Sequence, residues 1–484
     1  MKHTRIFRRA VAVFLVCVAV FAVDPALAAS PFDPREAKAV AVEAERPDLD
    51  FSFHRLGPGN GATLLVVGGI QGDEPGGFSA ASLLVTSYSI NSGQVWVVPN
   101  LNFPSIVTRN RGSSGDMNRK FAQINPKDPD YPTVKTIQEI IRAPEVDVIL
   151  NLHDGSGFYR PHHEGPMHNP QRWGQCVIID QDCLDTEHRY GQLQDMAATA
   201  VADANKNLLE TEHRYHLRNT ETRKGDKEME KTLSYFAVRN HKAAFGIEAS
   251  KNFTTEYRAY YHIQILESFM RQMGIGFERK FPLTPAGVKD AINSDLGIAL
   301  YDNRLVLELD NVRPNLAYVP MKKGAPVDLK GTTPLIALLR DSKASSWRVA
   351  YGNRTLTRIS PQYMDFDDNL TTLDILVDGE KASVPVGGTV TVAESFLVKG
   401  MNGYRVNAIG AVKEKKDGSE CDVVLRKKDF LPRFSVDKAA TTYRMEIYKG
   451  KAFAGMVLVR FGKRAPSARE TMTARSGPES DFGY

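Results

Sequence analysis

Four almost uninterrupted apolar runs, spread through the first 280 residues, constrain this chain more than any other feature. They are Thr63–Ile70 (TLLVVGGI), Gln94–Pro99 (QVWVVP), Val146–Leu152 (VDVILNL) and Ala243–Ile247 (AAFGI). A strand that is apolar on both faces must be covered on both, so such runs belong to an internal sheet flanked by helices. The intervening stretches have the matching period. Thr133–Arg142 sets Val134, Ile137 and Ile141 on one helix face. Gly191–Leu209 does the same with Leu193, Met196, Ala200 and Leu208. Thr255–Met273 runs into Gly274, a helix-stop signal. Residues 29–280 therefore read as one α/β domain.

The texture changes after Phe281–Pro282. Short runs rich in Val, Leu, Tyr and Thr alternate with Asn, Asp, Gly and Pro, as in RLVLELDNVRPN and GGTVTVAESFLV, which is the pattern of all-β structure. This stretch is too long for one small sandwich, and the sequence divides it into all-β domains at 281–370 and 371–464. Residues 465–484 are polar and aperiodic and read as a flexible tail.

The first 28 residues read as a secretory signal. A basic head, Lys2 to Arg9, precedes the apolar run Ala10–Val23, and Ala26-Leu27-Ala28 forms a small-x-small cleavage pattern. The run is short for a membrane span, and no later stretch reaches 18 apolar residues. The expectation is export, into a bacterial periplasm, with no stable membrane span after cleavage. The whole chain has a formal charge of +5, part of it from this leader. A nearly neutral mature chain offers no electrostatic footprint for nucleic acid. In an oxidising compartment Cys176 and Cys183, seven residues apart, could form a local disulfide, with Cys421 left over. Spacing alone does not fix the geometry such a bridge needs.

Polar residues cluster where the apolar runs end. Gln71 and Glu74 follow the first run in GGIQGDEPGG, three residues apart in a tight loop entering a helix. Arg111, Asn118 and Arg119 lie in a Gly-bearing loop, TRNRGSSGDMNRKF. His153 follows the third run in NLHDGSGF, and Glu248 follows the fourth in FGIEAS. Ligand sites of open α/β sheets form at the carboxyl ends of strands. One carboxylate, one imidazole and one amide oxygen can hold a tetrahedral cation with a position left open. Singly, each motif has a plainer reading, as a helix-entry loop or a hydrogen-bonded core histidine.

Their order and spacing together resemble the zinc metallocarboxypeptidases, with Gln71 standing where most members carry His. That departure, and the strings GDMNRKF, NLHDGSGFY and AAFGIEASKNF, resemble one branch: secreted DL-carboxypeptidases that trim peptidoglycan and set helical cell shape. The resemblance implies a carboxypeptidase-like α/β domain with a mixed central sheet flanked by helices, followed by two small all-β domains. It implies Zn2+ held by Gln71, Glu74 and His153. Arg111 would stabilise the oxyanion, Asn118 and Arg119 would hold the substrate's terminal carboxylate, and Glu248 would act as general base and acid. The implied substrates are peptidoglycan stem peptides, with meso-diaminopimelate released from muramyl tripeptide. Tyr215, Tyr235 and Tyr257 are all candidates for the tyrosine that closes over substrate in many members.

Other features weigh less. His162, His163 and His168 read as a solvated loop lining the substrate cleft, with a second metal site as the alternative. The mixed-charge run Arg223–Lys231 reads as a solvated helix start. Asp73 and Asp154 adjoin the ligands and could orient them or cap loops. Two rival functions stay open: a zinc amidase or deacylase of the same superfamily, and a non-catalytic cell-wall binding protein.

Overall fold

The structure is a computed structural model that describes residues 49–341, 344–413 and 418–463. The expected signal segment 1–28 and the tail 465–484 lie outside the described residues. Seven strands form the main sheet: β1 (His54–Leu56), β2 (Thr63–Val67), β3 (Gln94–Val98), β4 (Val148–Gly155), β5 (Cys176–Ile179), β6 (His216–Asn219) and β7 (Ala243–Ser250). Their order is β1-β3-β2-β4-β7-β5-β6. The four central strands are the four apolar runs, and they are mutually parallel. β1 and β5 join antiparallel, so the sheet is mixed.

Helices cover the sheet: α1 (Pro75–Ser87), α2 (Phe103–Thr108), α3 (Tyr131–Arg142), α4 (Leu193–Asn205), α5 (Leu233–Arg239) and α6 (Thr255–Gln272), of which α3, α4 and α6 are the three the periodicity predicts. α1, α4 and α6 pack into one layer against the sheet, and α5 also packs on β4 and β7. Val134, Ile137 and Ile141 of α3 are buried together, as their spacing requires.

β4 and β7 run further than the apolar residues alone suggest, through Gly155 and Ser250, and every residue in both is buried. The extra residues include His153 and Glu248, so both are ladder residues rather than loop residues. The parallel register pairs Glu248 with His153, which sets the two side chains side by side at one level of the sheet. Before α1 the chain is pressed onto its neighbours. A Cβ on Gly72 would lie 2.1 Å from the Ser105 carbonyl on α2, so only glycine lets this loop close there.

The segment after residue 280 does not begin as all-β. Helix α7 (Pro285–Asn293) comes first and packs against α6 and α1. Thr284 caps it by accepting a hydrogen bond from the Gly287 N–H, Pro285 opens it, and Val288 and Ile292 are its buried residues. Strands then dominate. A three-stranded sheet (Gly297–Leu300, Leu305–Glu308, Leu329–Gly331) lies near a four-stranded one built around β8 (Asn315–Lys322) and β9 (Arg354–Met364). The last segment has two four-stranded sheets, one containing β10 (Tyr404–Ala408) and β11 (Thr442–Lys449). Their inner faces share a core that includes Phe396, Val406, Tyr443 and Val459. A larger core begins in the α/β sheet, continues through the middle strands and reaches Phe453, Met456 and Leu458.

The disulfide expectation is corrected. Cys176, Cys183 and Cys421 are all free thiols. Cys176 lies fully buried in β5 with its thiol 3.0 Å from the Trp173 carbonyl, while Cys183 is exposed beyond the strand end. Burial raises the Cys176 thiol well above its ordinary range and keeps it protonated. Among the described residues, no helix is long and apolar enough to cross a membrane.

Candidate active site

All seven residues singled out from the sequence line one cleft of about 270 Å³: Gln71, Glu74, Arg111, Asn118, Arg119, His153 and Glu248. Four of them come from the carboxyl ends of β2, β4 and β7, and three from the loop between α2 and α3.

Three donor atoms converge at its floor. His153 Nδ1 lies 3.1 Å from Gln71 Oε1 and 3.0 Å from Glu74 Oε2. One ring N–H can point at only one of these oxygens with full strength, whereas a small cation can take all three atoms as ligands. The amide is oriented for this. Gln71 is 2% exposed, and its Nε2 donates to Asp116 Oδ1 at 2.8 Å, which turns Oε1 toward the histidine. Among the described residues no group of three or more His, Cys, Asp and Glu side chains is placed to hold a metal. The carboxylate of Glu74 also accepts from the Asp154 N–H and faces Arg111 and Lys251 at 3.4 and 3.3 Å. These residues fit a divalent cation of the kind that takes nitrogen and oxygen ligands.

A second layer of polar groups holds the donors. Asp154, itself fully buried, accepts from the Gly76 N–H at 2.8 Å, from the partly exposed Arg258 at 3.1 Å and from the buried His262 Nε2 at 3.1 Å. A Cβ at Gly76 would lie 2.5 Å from Asp154 Oδ1, so glycine is needed for that contact. Asp73 pairs with Lys251 at 2.8 Å.

Asp116, which the sequence reading passed over, ties the site together. It accepts from Gln71, from Arg111 Nε at 2.9 Å and from the Asn118 backbone N–H at 3.0 Å. Burial pushes its carboxyl up, but these partners outweigh that and hold it below the usual range. Its place two residues before Asn118 was the available signal. Asp116→Ala is expected to leave Gln71 free to turn and to weaken metal retention by about ten- to a hundredfold. Competition with a chelator measures this directly.

Glu248 stands apart from the hydrogen bonds. It is buried, and its Oε2 has no hydrogen-bond partner. Burial, opposed by His153 and reinforced by Glu74 and Asp154, pushes its carboxyl up to about 8. For His153, burial acts downward, but the Glu74 carboxylate overrides it and raises the imidazole. The guanidinium of Arg119 is aligned by the Asn118 carbonyl at 3.0 Å and by Glu228 at 3.4 Å. The Asn118 side chain accepts from the Leu233 N–H at the start of α5.

Several secondary expectations change. None of Tyr215, Tyr235 and Tyr257 lines the cleft. Tyr215 is buried against Tyr261, and Tyr257 packs near Phe253. His162 and His163 are exposed and do not line the cleft, while His168 stacks on Phe158 at 4.7 Å. The run Arg223–Lys231 is solvated over 223–228, as expected, but it starts no α-helix. Two short 3-10 turns bracket it, and Met229 is buried in the cleft wall beside Ile178 and Trp173. That wall is assembled from segments far apart in sequence, and no local pattern announces it.

Residues 57–293 match the family model for the catalytic domain of carboxypeptidases controlling helical cell shape, and 366–462 match the model for a metallo-carboxypeptidase C-terminal domain. The solved apo structure of the cell shape determinant Csd4 from Helicobacter pylori is 38% identical, with a TM-score of 0.79 over 85% of this chain and all of that one. The chain belongs to this family. It is a metallocarboxypeptidase, a hydrolase. Within the family, Csd4 has also been solved bound to tripeptide (38% identity, TM-score 0.78) and to mDAP, where it is described as a D,L-carboxypeptidase. A shorter likeness, 34% identity over 105 residues, joins this chain to the N-alpha-acetyl-L-2,4-diaminobutyric acid deacetylase of Halomonas elongata. It spans 20% of this chain and 30% of that enzyme.

Proposed function

We propose that the protein is a periplasmic, zinc-dependent DL-carboxypeptidase that trims peptidoglycan stem peptides. On this reading it releases terminal meso-diaminopimelate from muramyl tripeptide and leaves the dipeptide. The observation that carries it is the convergence of Gln71, Glu74 and His153 beneath two guanidiniums and a carboxyl without hydrogen-bond partners on Oε2. The tripeptide-bound and mDAP-bound structures of Csd4 support the substrate class.

Gln71, Glu74 and His153 would hold the zinc, which when bound supplies Lewis acidity to a scissile carbonyl and to water. The chain's own groups do the rest. Glu248 takes a proton from the attacking water and passes it to the leaving amine. Arg111, exposed at the cleft edge, offers its Nη atoms to the charge that develops on the carbonyl oxygen, while Asp116 fixes its Nε. Asn118 and Arg119 grip the terminal carboxylate, the guanidinium as a planar fork. The apolar wall of Trp173, Ile178 and Met229 excludes water from one side of the cleft.

The test is incubation of purified protein with muramyl tri-, tetra- and pentapeptides, with and without chelator, and identification of products by mass. Metal-dependent loss of diaminopimelate from the tripeptide alone is the expected result. Cleavage of none of them refutes the reading. The likeness to a deacetylase makes N-acetyl-diaminobutyrate the informative competing substrate.

The carboxylate grip has its own consequence. Arg119→Lys keeps the charge and loses the fork, so kcat/KM is expected to fall at least about tenfold with zinc content unchanged. A C-terminally amidated peptide is expected to be a poor substrate for the native enzyme, by mass-resolved rate comparison.

A further inference from the structure

Between the carboxylate grip and Glu248 the cleft has wall that no step of the hydrolysis uses. Asn118 and Arg119 take the terminal carboxylate and Glu248 faces the leaving amine. The residue to be released lies between them, and its side chain must find room there. One wall of that gap is contiguous with the grip. Glu228 pairs with Arg119 at 3.4 Å and the Leu233 N–H donates to Asn118 Oδ1, and their neighbours Met229 and Thr232 line the cleft. The indole of Trp173 is another wall. The Arg218 guanidinium lies 3.6 Å over its ring, and Arg218 Nη1 donates to the Arg172 carbonyl at 2.9 Å, so the indole is clamped in place.

The sheet supplies the floor. Register places His153, Glu248 and Cys176 in one row across β4, β7 and β5. The next row is Asn151, Gly246, Ile178 and Arg218, on β4, β7, β5 and β6. Residues two apart on a strand share a face, so Gly246 lies under the same cleft as Glu248, about 7 Å back along β7. Both Gly246 and Ile178 line the cleft. The backbone does not ask for glycine here, because Gly246 is not at positive φ. It sits mid-strand, where glycine weakens the ladder and often marks a close approach by a ligand or another chain. A Cβ at this position would stand 3.3 Å from Ile178 Cβ, so the added carbon takes up floor or drives Ile178 into the cleft.

We propose that Gly246 is a specificity-determining residue. Its missing side chain keeps open a pocket, bounded by Ile178, Trp173, Met229 and Thr232, for a long side chain on the residue released. This rests on the roles proposed for Asn118, Arg119 and Glu248, and it adds what measures the residue beside the bond. A methyl reaches about 1.5 Å and leaves the pocket empty, whereas the side chain of diaminopimelate reaches about 5 Å, far enough to lie over Gly246.

The experiment uses the full mature, zinc-loaded protein and three tripeptides that differ only in the residue released. These are diaminopimelate, norleucine, which has similar length without the distal charges, and alanine. For the native protein, kcat/KM is expected to be at least about tenfold higher for either long residue than for alanine. Gly246→Ala is expected to lower that ratio at least about fivefold. Ile178→Phe narrows the same pocket from the neighbouring strand without altering β7 and should copy the change, and it decides the matter if the Gly246 variant does not fold. Zinc content and melting temperature accompany each rate. A native protein that does not distinguish the three residues overturns the proposal. So do folded variants that slow all three tripeptides alike, which is the mark of a structural role, and so do variants that change nothing. If the native protein cleaves none of the three, the roles assigned to the cleft fail, and calorimetric binding of free norleucine against free alanine still judges the pocket. A native preference for norleucine that Gly246→Ala abolishes upholds it, and equal affinities overturn it.

Discussion

Glu248→Gln is expected to lower turnover by about two to four orders of magnitude while metal content and substrate binding stay as in the native protein. The amide keeps the shape and burial of the side chain but can neither take a proton from water nor carry one to an amine. Single-turnover rates, zinc stoichiometry and substrate KM separate a lost proton carrier from a damaged site. Near-native turnover would remove Glu248 from the mechanism. The same variant has a signature in metal-free protein. Because burial raises the Glu248 carboxyl to about 8, above its unfolded range, the folded state holds its proton more tightly. Its contribution to stability is full below the unfolded value and is lost as the pH rises through the folded one. Chelated native protein should therefore lose thermal stability between about pH 5 and 8, and chelated Glu248→Gln should lose less.

The second large effect is expected at Gln71. Gln71→Ala deletes one of three donors and should release the metal, and activity with it. Gln71→His should hold zinc at least as tightly, since an imidazole nitrogen is the better donor. An imidazole in this position can also donate to Asp116, which already accepts from the Gln71 amide. Competition with a chelator across the native, Ala and His proteins decides the matter. If the Ala form retains zinc as the native protein does, Gln71 is not a ligand.

Much of the site was legible because its chemistry sits beside unmistakable strands. TLLVVGGI, VDVILNL and AAFGI announce where the sheet is, and Gln71, Glu74, His153 and Glu248 stand directly after those runs. What was not legible is the lateral order of strands. Glu248 meets His153 only because β7 pairs β4 in one register, across about ninety residues of chain. Ile178 is placed by the antiparallel pairing of β5 with β7, and Trp173 and Met229 pack beside it from turns elsewhere in the chain, so no local period marks them. Asp116 was missed for a different reason, since an aspartate in a Gly-rich loop has a sufficient explanation as a turn residue. Helix α7 was masked by the β-like texture that follows it, although Thr284-Pro285 is a readable helix start.

The apolar core that begins at the sheet and ends at Leu458 bears on how the chain can be handled. A fragment stopped after α7 would lack Val319, Met321, Tyr448 and Phe453 and would bare the core they complete. Recombinant pieces of this protein should therefore aggregate where the intact chain stays soluble, and protease nicks between the segments should not release a catalytic half. Heating should show one transition shared by metal release and loss of strand signal. A lesion at Phe453, on the last long strand, would then be felt as a lower melting temperature at the cleft.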